Sequence, residues 1–543
     1  MYPVKTYSRN LRGDLFGGLT AAVVALPLAL AFGIASGAGP AAGLYGAAIV
    51  GLLAAVFGGT PSQISGPTGP MTVVMTAMIA QFLASHPDQG MALAFTTVAL
   101  GGVFQFLFGA LRVGKYIIMV PYPVISGFMT GIGAIIVLLQ LGPMLGHDTA
   151  GRVLDAVQAL PGQVANADPA ALVVGSIALA LMFGWRGRLN RLFPAPLVAL
   201  VAATLASLWL LDGAGLARIG ELPSGLPDFH LPALEGSLLR DMIINALMLA
   251  VLGSIDSLLT SLVADNVTGT QHDSDRELMG QGIGNTVAGL FGGLPGAGAT
   301  MRTVVNIRAG GSGPLSGVVH AGVLLAIVAG MGGLFENIPL AALAGILVKV
   351  GIDIVDWPFL RRLHRLPLFP VALMGLVMLL TIFVDLITAV FVGVFIKNLV
   401  TIDRLSDLEL GSVILTDGTR NTERLPEADR EALARHPGET TLLRITGPVS
   451  YAVGRGLTRR FHAFGHQEWL LVDLADAELI GISTTMVLED LVRSALAHGT
   501  RVQLIGIDRI AQRERELLDL VSMVGAENCV ASIDAAFTET PGA

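Results

Sequence analysis

The chain has 543 residues, 53% hydrophobic and 14% charged, with a mean hydropathy of +0.70. Soluble domains carry roughly a quarter charged residues, so this composition excludes an ordinary soluble enzyme and indicates a polytopic membrane protein. The net charge of −8 argues against nucleic acid as a partner, and a single cysteine, Cys529, excludes an internal disulfide.

Charge is unevenly placed. Residues 1–400 carry 19 basic and 19 acidic groups, whereas the remainder carries 14 and 22, so the chain divides into a lipid-embedded domain over 1–402 and an aqueous one over 411–543. Apolar segments fall near 15–38, 41–58, 67–83, 91–111, 121–142, 170–186 and 195–211. The first is longer than the apolar core of a signal peptide and leads directly into a second span, so it reads as a retained helix. After a polar loop at 212–238 a second set follows near 239–265, 276–292, 299–309, 314–333, 338–355, 366–384 and 386–402. Seven spans in repeat one (15–211) and seven in repeat two (239–402) give fourteen, and an odd number per repeat inverts the second copy. With the N-terminus inside, cytoplasmic segments receive Lys5, Arg9, Arg12, Arg112, Lys115, Arg186, Arg188, Arg191, Arg276, Arg308, Arg361, Arg362 and Arg365. External segments receive only Arg152, Arg218 and Arg240. That bias places both termini and the aqueous domain in the cytoplasm, and the location expected with the family resemblance below is the bacterial inner membrane.

The third segment of each repeat is broken. Residues 292–310 read GGLPGAGATMRTVVNIRAG, in which Pro295 and glycines 292, 293, 296 and 298 forbid regular helix until about residue 299. Eleven helix-compatible positions, Ala299 to Ala309, at about 1.5 Å each cover about half of a roughly 30 Å hydrocarbon core. The helix start therefore falls near the midplane, where its unpaired N–H groups suit an anion. Residues 58–74, GGTPSQISGPTGPMTVV, share the GGxP start and the Thr-Val-Val of 303–305, and paired interrupted segments in two halves point to a transporter binding site.

Charges inside the bilayer are functional suspects. Asp256 lies mid-span with Thr260 one turn later on the same face, offering hard oxygen ligands to a small cation, the alternative being a structural, hydrogen-bonded aspartate. Arg302, in the first turn of the second half-helix, either adds positive charge to the anion end, pairs with Asp256 or snorkels. His320 reads as interfacial, near a cytoplasmic helix end. Asp353, Asp356 and Asp385 read as solvated or capping groups. Phosphate loops, metal-type His/Cys clusters and nucleophile elbows are absent from the sequence, so no enzyme and no cofactor beyond a coupling ion is expected.

From about 411, strand-like runs at 440–446, 469–474 and 501–507 alternate with helical patterns at 484–498 and 510–523, as in a small α/β domain. The run VDLADAELIGISTTMVLEDLVRSALAHGTRVQLIGI resembles a STAS domain, with Ser483 or Thr484 read as the N-cap of its helix.

Taken together, RNLRGDLFGGLTAAVVALPLALAFGIASGAG, PTGPMTVV, LGSIDSLLTSLVADN, GQGIGN, PGAGATM and TVVNI resemble the SulP (sulfate permease) anion transporters along nearly the whole chain. Within that family the chain looks most like the cyanobacterial sodium-dependent bicarbonate transporters. The resemblance implies an α-helical seven-plus-seven inverted repeat with two half-helices (segments 3 and 10), a core moving against a gate, and a homodimer linked through a cytoplasmic STAS domain. It further implies an anion held by Thr68, Gly69, Ala299 and Thr300, with sodium beside it at Asp256, Thr260, Gly298 and Thr300. The chain departs from that subgroup at Gly66, where an acidic residue is usual, and at Arg302, where the subgroup has glycine and the broader family arginine. Asp256 stands where the broader family usually has glutamate. The expected function is a sodium-coupled anion symporter importing bicarbonate. Its alternatives are a proton-coupled sulfate or dicarboxylate importer, an anion exchanger, and a non-transporting membrane anchor for the STAS domain.

Overall fold

The computed structural model describes residues 10–538 except 118–119, 186, 188–192, 212–214, 221–224, 226, 331–332, 334, 385, 418, 420–421, 437–438, 450–456, 458–467, 481 and 508–518. Of the residues weighed above, Lys5, Arg9, Arg186, Arg188, Arg191 and Asp385 lie outside the described residues, as does most of the helical pattern at 510–523. Contacts divide the chain into two compact units, Met1–Val394 and Phe395–Ala543.

The first unit is helical: α1 (Leu11–Ala35), α2 (Pro40–Phe57), α3 (Gly69–Ser85), α4 (Gly90–Ala110), α5 (Tyr122–Met144), α6 (Val153–Ala165), α7 (Pro169–Gly184) and α8 (Ala195–Trp209). There follow α9 (Leu239–Thr268), α10 (Ser274–Leu290), α11 (Thr300–Arg308), α12 (Leu315–Gly330), α13 (Leu340–Ile354), α14 (Leu368–Phe383) and α15 (Leu386–Ser412), the last running on into the second unit. Local chemistry sets several ends. Asn10 caps α1 by accepting from the Gly13 amide at 3.3 Å, proline opens α2 and α7 at their first position, and Gly269 closes α9 in the left-handed conformation. Among the described residues α1, α2, α4, α5 and α9 are each long and apolar enough to cross a bilayer alone. The amphipathic helix α6, which the hydropathy reading passed over as a connection, bends by 115° into α7.

Helix packing separates two bundles. One holds α1–α4 and α9–α12, the other α5, α7, α8, α13 and α14, and the bundles touch where α1 meets α8 and α13 and where α3 meets α5. In the first bundle α4 and α10 approach through Gly102, Gly109, Gly282 and Gly289, where an added Cβ would strike the facing helix. Small residues let membrane helices gain close van der Waals contact that lipid cannot supply. The same close approach joins α5 to α13 at Gly133 and Gly351.

The second unit is a five-stranded sheet in sequence order: β3 (Val413–Thr416), β4 (Thr440–Val449), β5 (Trp469–Ile480), β6 (Arg501–Ile505) and β7 (Cys529–Val530), numbered after two short strands of the first unit described below. β3 runs antiparallel to β4 and the others are parallel. The helix Ile482–Ala497 starts before both Ser483 and Thr484, so they lie in its first turn and neither is the N-cap. Buried Arg444 donates to Asp473 at 2.6 Å and to Asp429 at 2.5 Å. Burial opposes its charge, yet those two carboxylates outweigh it and hold the guanidinium pKa above its ordinary value. Replacing Arg444 by methionine strands Asp473, itself 3% exposed, and should cost the second unit about 3 kcal/mol. The measurement is a lowered urea midpoint reported by Trp469 in a chain whose other tryptophans are phenylalanine.

Candidate functional site

The chain leaves helical geometry in the first bundle where the sequence predicts it. α3 begins at Gly69 and α11 at Thr300, each within two residues of expectation. Just before them the two broken segments meet as a minimal antiparallel ladder, β1 (Ser65–Gly66) on β2 (Ala297–Gly298), with Ser65 opposite Gly298 and Gly66 opposite Ala297. The amide of Ala299 extends the crossing by donating to the Ile64 carbonyl at 2.9 Å. Glycine is required twice here. Gly66 has φ +149, and a Cβ on Gly296 would lie 2.6 Å from the Gly66 carbonyl carbon.

Neither half-helix start has a side-chain cap: Thr68 and Ala299 occupy the cap positions without making one. The helical ladder first engages at Thr72 and Thr303, so the amides of Gly69, Met71, Thr300, Met301 and Arg302 have no partner within their helices. α9 runs beside both starts. Its Ser257 accepts from the Gly298 amide at 3.1 Å, and Thr260 donates to the Gly298 carbonyl at 2.9 Å while lying 2.7 Å from the Thr300 hydroxyl. Asp256 interacts with the Thr68 side chain, but neither buried Asp256 Oδ2 nor Thr68 Oγ1 has a partner in full hydrogen-bond geometry. Two polar atoms left open at one point are costly unless a ligand satisfies them. The structure thus brings together all the residues singled out: Thr68, Gly69, Ala299, Thr300 and Arg302 at the helix starts, and Asp256, Thr260 and Gly298 beside them.

Arg302 does not pair with Asp256, and it does not snorkel. It is 2% exposed and turns across the crossing to donate from Nη2 to the Pro67 carbonyl at 2.6 Å, with Asp256 near enough to feel its charge. A Cβ on Gly66 would stand 2.8 Å from Arg302 Nη1, so the glycine at 66 and the arginine at 302 are one steric arrangement. His320 corrects the sequence reading more sharply. Far from interfacial, it is fully buried, its ring lies against Gly51 beside the Ser65 carbonyl, and neither nitrogen has a partner. The reason is packing: Gly317 seats α12 on Ala55 of α2, which draws the following turn inward. Asp356 caps the Phe359 amide as expected, and Asp353 pairs with Lys349 at 2.5 Å.

Sequence reasoning missed the residues that hold the crossing. Glu277, 1% exposed, accepts from the amides of Gly59 and Thr60, both at 2.9 Å, and from the side chains of Gln63 and Gln281 at 2.7 and 2.8 Å. Gln281 also reaches Ser65 Oγ at 2.6 Å, and Asn285 brackets Gly296 by donating to its carbonyl and accepting from its amide. Glu277, Gln281 and Asn285 are spaced by four, one stripe on α10. That polar periodicity in an apolar setting was the available signal.

The chain matches the sulfate permease family over residues 11–377. It is 45% identical to the bicarbonate transporter BicA of Picosynechococcus sp., covering 97% of this chain and 94% of that protein. It is 47% identical to BicA of Synechocystis sp., covering 97% and 93%. The solved transmembrane domain of a cyanobacterial BicA superposes with a TM-score of 0.67 at 54% identity, covering 70% of this chain and 98% of that one. SLC26A9 shares the fold, with a TM-score of 0.81 at 18% identity over 99% of this chain and 90% of its own.

If the α10 stripe holds the crossing, Glu277→Ala leaves the Gly59 and Thr60 amides and Gln63 Nε2 without an acceptor, while Gln281 keeps Ser65, and should lower stability by about 3 kcal/mol. The expected readout is a lower thermal midpoint for detergent-purified protein, with Glu277→Gln intermediate. With its fold, its crossing segments and its relatives in agreement, the chain belongs to the sulfate permease family of membrane transporters.

Proposed function

We propose that the protein is a sodium-coupled symporter that imports bicarbonate. The observation that carries this reading is the unsatisfied pair Asp256 Oδ2 and Thr68 Oγ1, set beside two uncapped half-helix starts. Sodium, the coupling ion, takes hard oxygen ligands, and Asp256, the hydroxyls of Thr260 and Thr300 and the Gly298 carbonyl supply them. The anion lies against Thr68, Gly69, Ala299 and Thr300 and takes the amides of Gly69 and Thr300, the Ala299 amide being held by Ile64, while Arg302, tied to Pro67, contributes its field. Identity of 45–47% to bicarbonate transporters supports the substrate.

The same reading includes fourteen crossings in a seven-plus-seven inverted repeat in the bacterial inner membrane, with both termini cytoplasmic. It is supported by the matching place of the broken segment in each half and by the excess of basic residues on one side. The two packed bundles then serve as moving core and fixed gate. We read residues 411–543 as a STAS domain through which two copies associate, supported by the α/β order of the second unit.

One observation favours a second reading, import of sulfate or a dicarboxylate: Arg302 puts a full positive charge behind the anion end, and a putative sulfate transporter of Bacillus subtilis is 30% identical over 94% of this chain. Labelled bicarbonate and sulfate uptake into proteoliposomes, with and without a sodium gradient, separates the two. Each ion offsets the other's charge in a low-dielectric site, so each tightens the other's binding by the same factor. Asp256→Asn is therefore expected to abolish sodium-dependent uptake and to leave residual anion binding indifferent to sodium. If Asp256 served only to neutralise Arg302, adding Arg302→Gln would restore sodium stimulation. Wild-type uptake insensitive to sodium at fixed pH and voltage would refute the coupling.

A further inference from the structure

The two half-helix starts are covered differently. Where a side chain on Gly69 would begin, the δ-methyl carbons of Ile136 on α5 and Ile354 on α13 both lie 2.7 Å away. α5 and α13 belong to the second bundle and α3 to the first, so two methyl groups from the facing bundle converge on the first residue of α3. The start of α11 has no such lid, for Thr300 is exposed and Met301 is 53% exposed. On α13 the residue before Ile354 is Asp353, whose carboxylate is held one turn back by Lys349, so this helix offers the site a methyl group and keeps its charge engaged elsewhere.

We propose that Ile136 and Ile354 are specificity-determining residues, an apolar lid that admits a singly charged oxyanion such as bicarbonate and rejects a doubly charged one such as sulfate. The inference rests on the reading that the anion docks at the half-helix starts. An anion under the lid exchanges water for methyl groups on that face. Methyl groups return no hydrogen bonds, and the uncompensated desolvation cost of an ion grows with the square of its charge. The compensating donors are the amides at the two helix starts, the Thr68 hydroxyl and those Arg302 N–H groups that remain beside the Nη2 bond to Pro67, none of which lies on the lidded face. Bicarbonate loses little on the lidded face, whereas sulfate loses the shell it most needs.

The experiment measures sodium-driven uptake of labelled bicarbonate and labelled sulfate by the full chain in proteoliposomes. It compares the wild type with Ile136→Ser, Ile354→Ser, Ile136→Thr, Ile354→Thr and the valine variants. The hydroxyl variants should raise the ratio of sulfate to bicarbonate uptake about tenfold, while valine, which shortens the side chain without adding a donor, should leave it within about twofold. The threonine variants keep the branched shape and report the ratio if serine disturbs insertion. A ratio unchanged in hydroxyl variants that still take up bicarbonate would overturn the lid. So would wild-type protein that takes up sulfate as fast as bicarbonate, with transport itself intact. Wild-type vesicles that accumulate neither anion would instead overturn the transport reading on which the lid depends.

Discussion

The membrane unit depends on a ladder of two residues against two. In hydrocarbon an irregular backbone survives only where protein satisfies its polar groups, and here two irregular segments satisfy each other: Ser65 pairs with Gly298 and Gly66 with Ala297. Only small residues allow that approach, as the crowding of Gly296 on Gly66 demonstrates. Because the strands are so short, both helices that follow start beside the crossing, and two sets of unpaired amides end up at one locus. Ladder geometry, not any single side chain, gives the site its polarity.

One helix holds the ladder in place. α10 turns a glycine seam, Gly282 and Gly289, toward α4, and a polar stripe, Glu277, Gln281 and Asn285, toward the crossing. Within its GQGIGN run Gly282 faces α4, Gly280 and Gly284 pack on Gly58 and Val50, and Gln281 and Asn285 face the crossing. The glycines bring the helix close enough for short side chains to reach, and the polar groups then grip both broken segments, 59–65 through Glu277 and Gln281 and Gly296 through Asn285. Gln63 and Thr60 carry the network on to Ser261 of α9 at 3.1 and 2.7 Å, five residues beyond Asp256. The scaffold and the helix that carries Asp256 and Thr260 are therefore parts of one hydrogen-bonded body.

Electrostatics inside this body are balanced without contact. Asp256 and Arg302 lie close enough to influence each other, but the arginine is tethered to Pro67 and the carboxylate keeps an open oxygen. A direct ion pair would have satisfied both groups and left nothing for a ligand to do. Holding them apart leaves a carboxylate oxygen without a partner close to a buried positive charge.

The sequence by itself determined where the apolar helices form and where two of them break, because those outcomes are local. Apolar runs need helical hydrogen bonding in lipid, and Pro295 with its flanking glycines stops a helix whatever surrounds it. It also marked Asp256, Thr260 and the two half-helix starts, since a carboxylate in an apolar run and a Gly/Pro break are visible without coordinates. Tertiary structure alone decided which groups those features meet. That Arg302 reaches Pro67 and not Asp256, that His320 is buried and not interfacial, and that Glu277 binds a loop more than two hundred residues away all follow from helix packing. The contacts that decide such packing join residues far apart in the chain, and no local pattern encodes them.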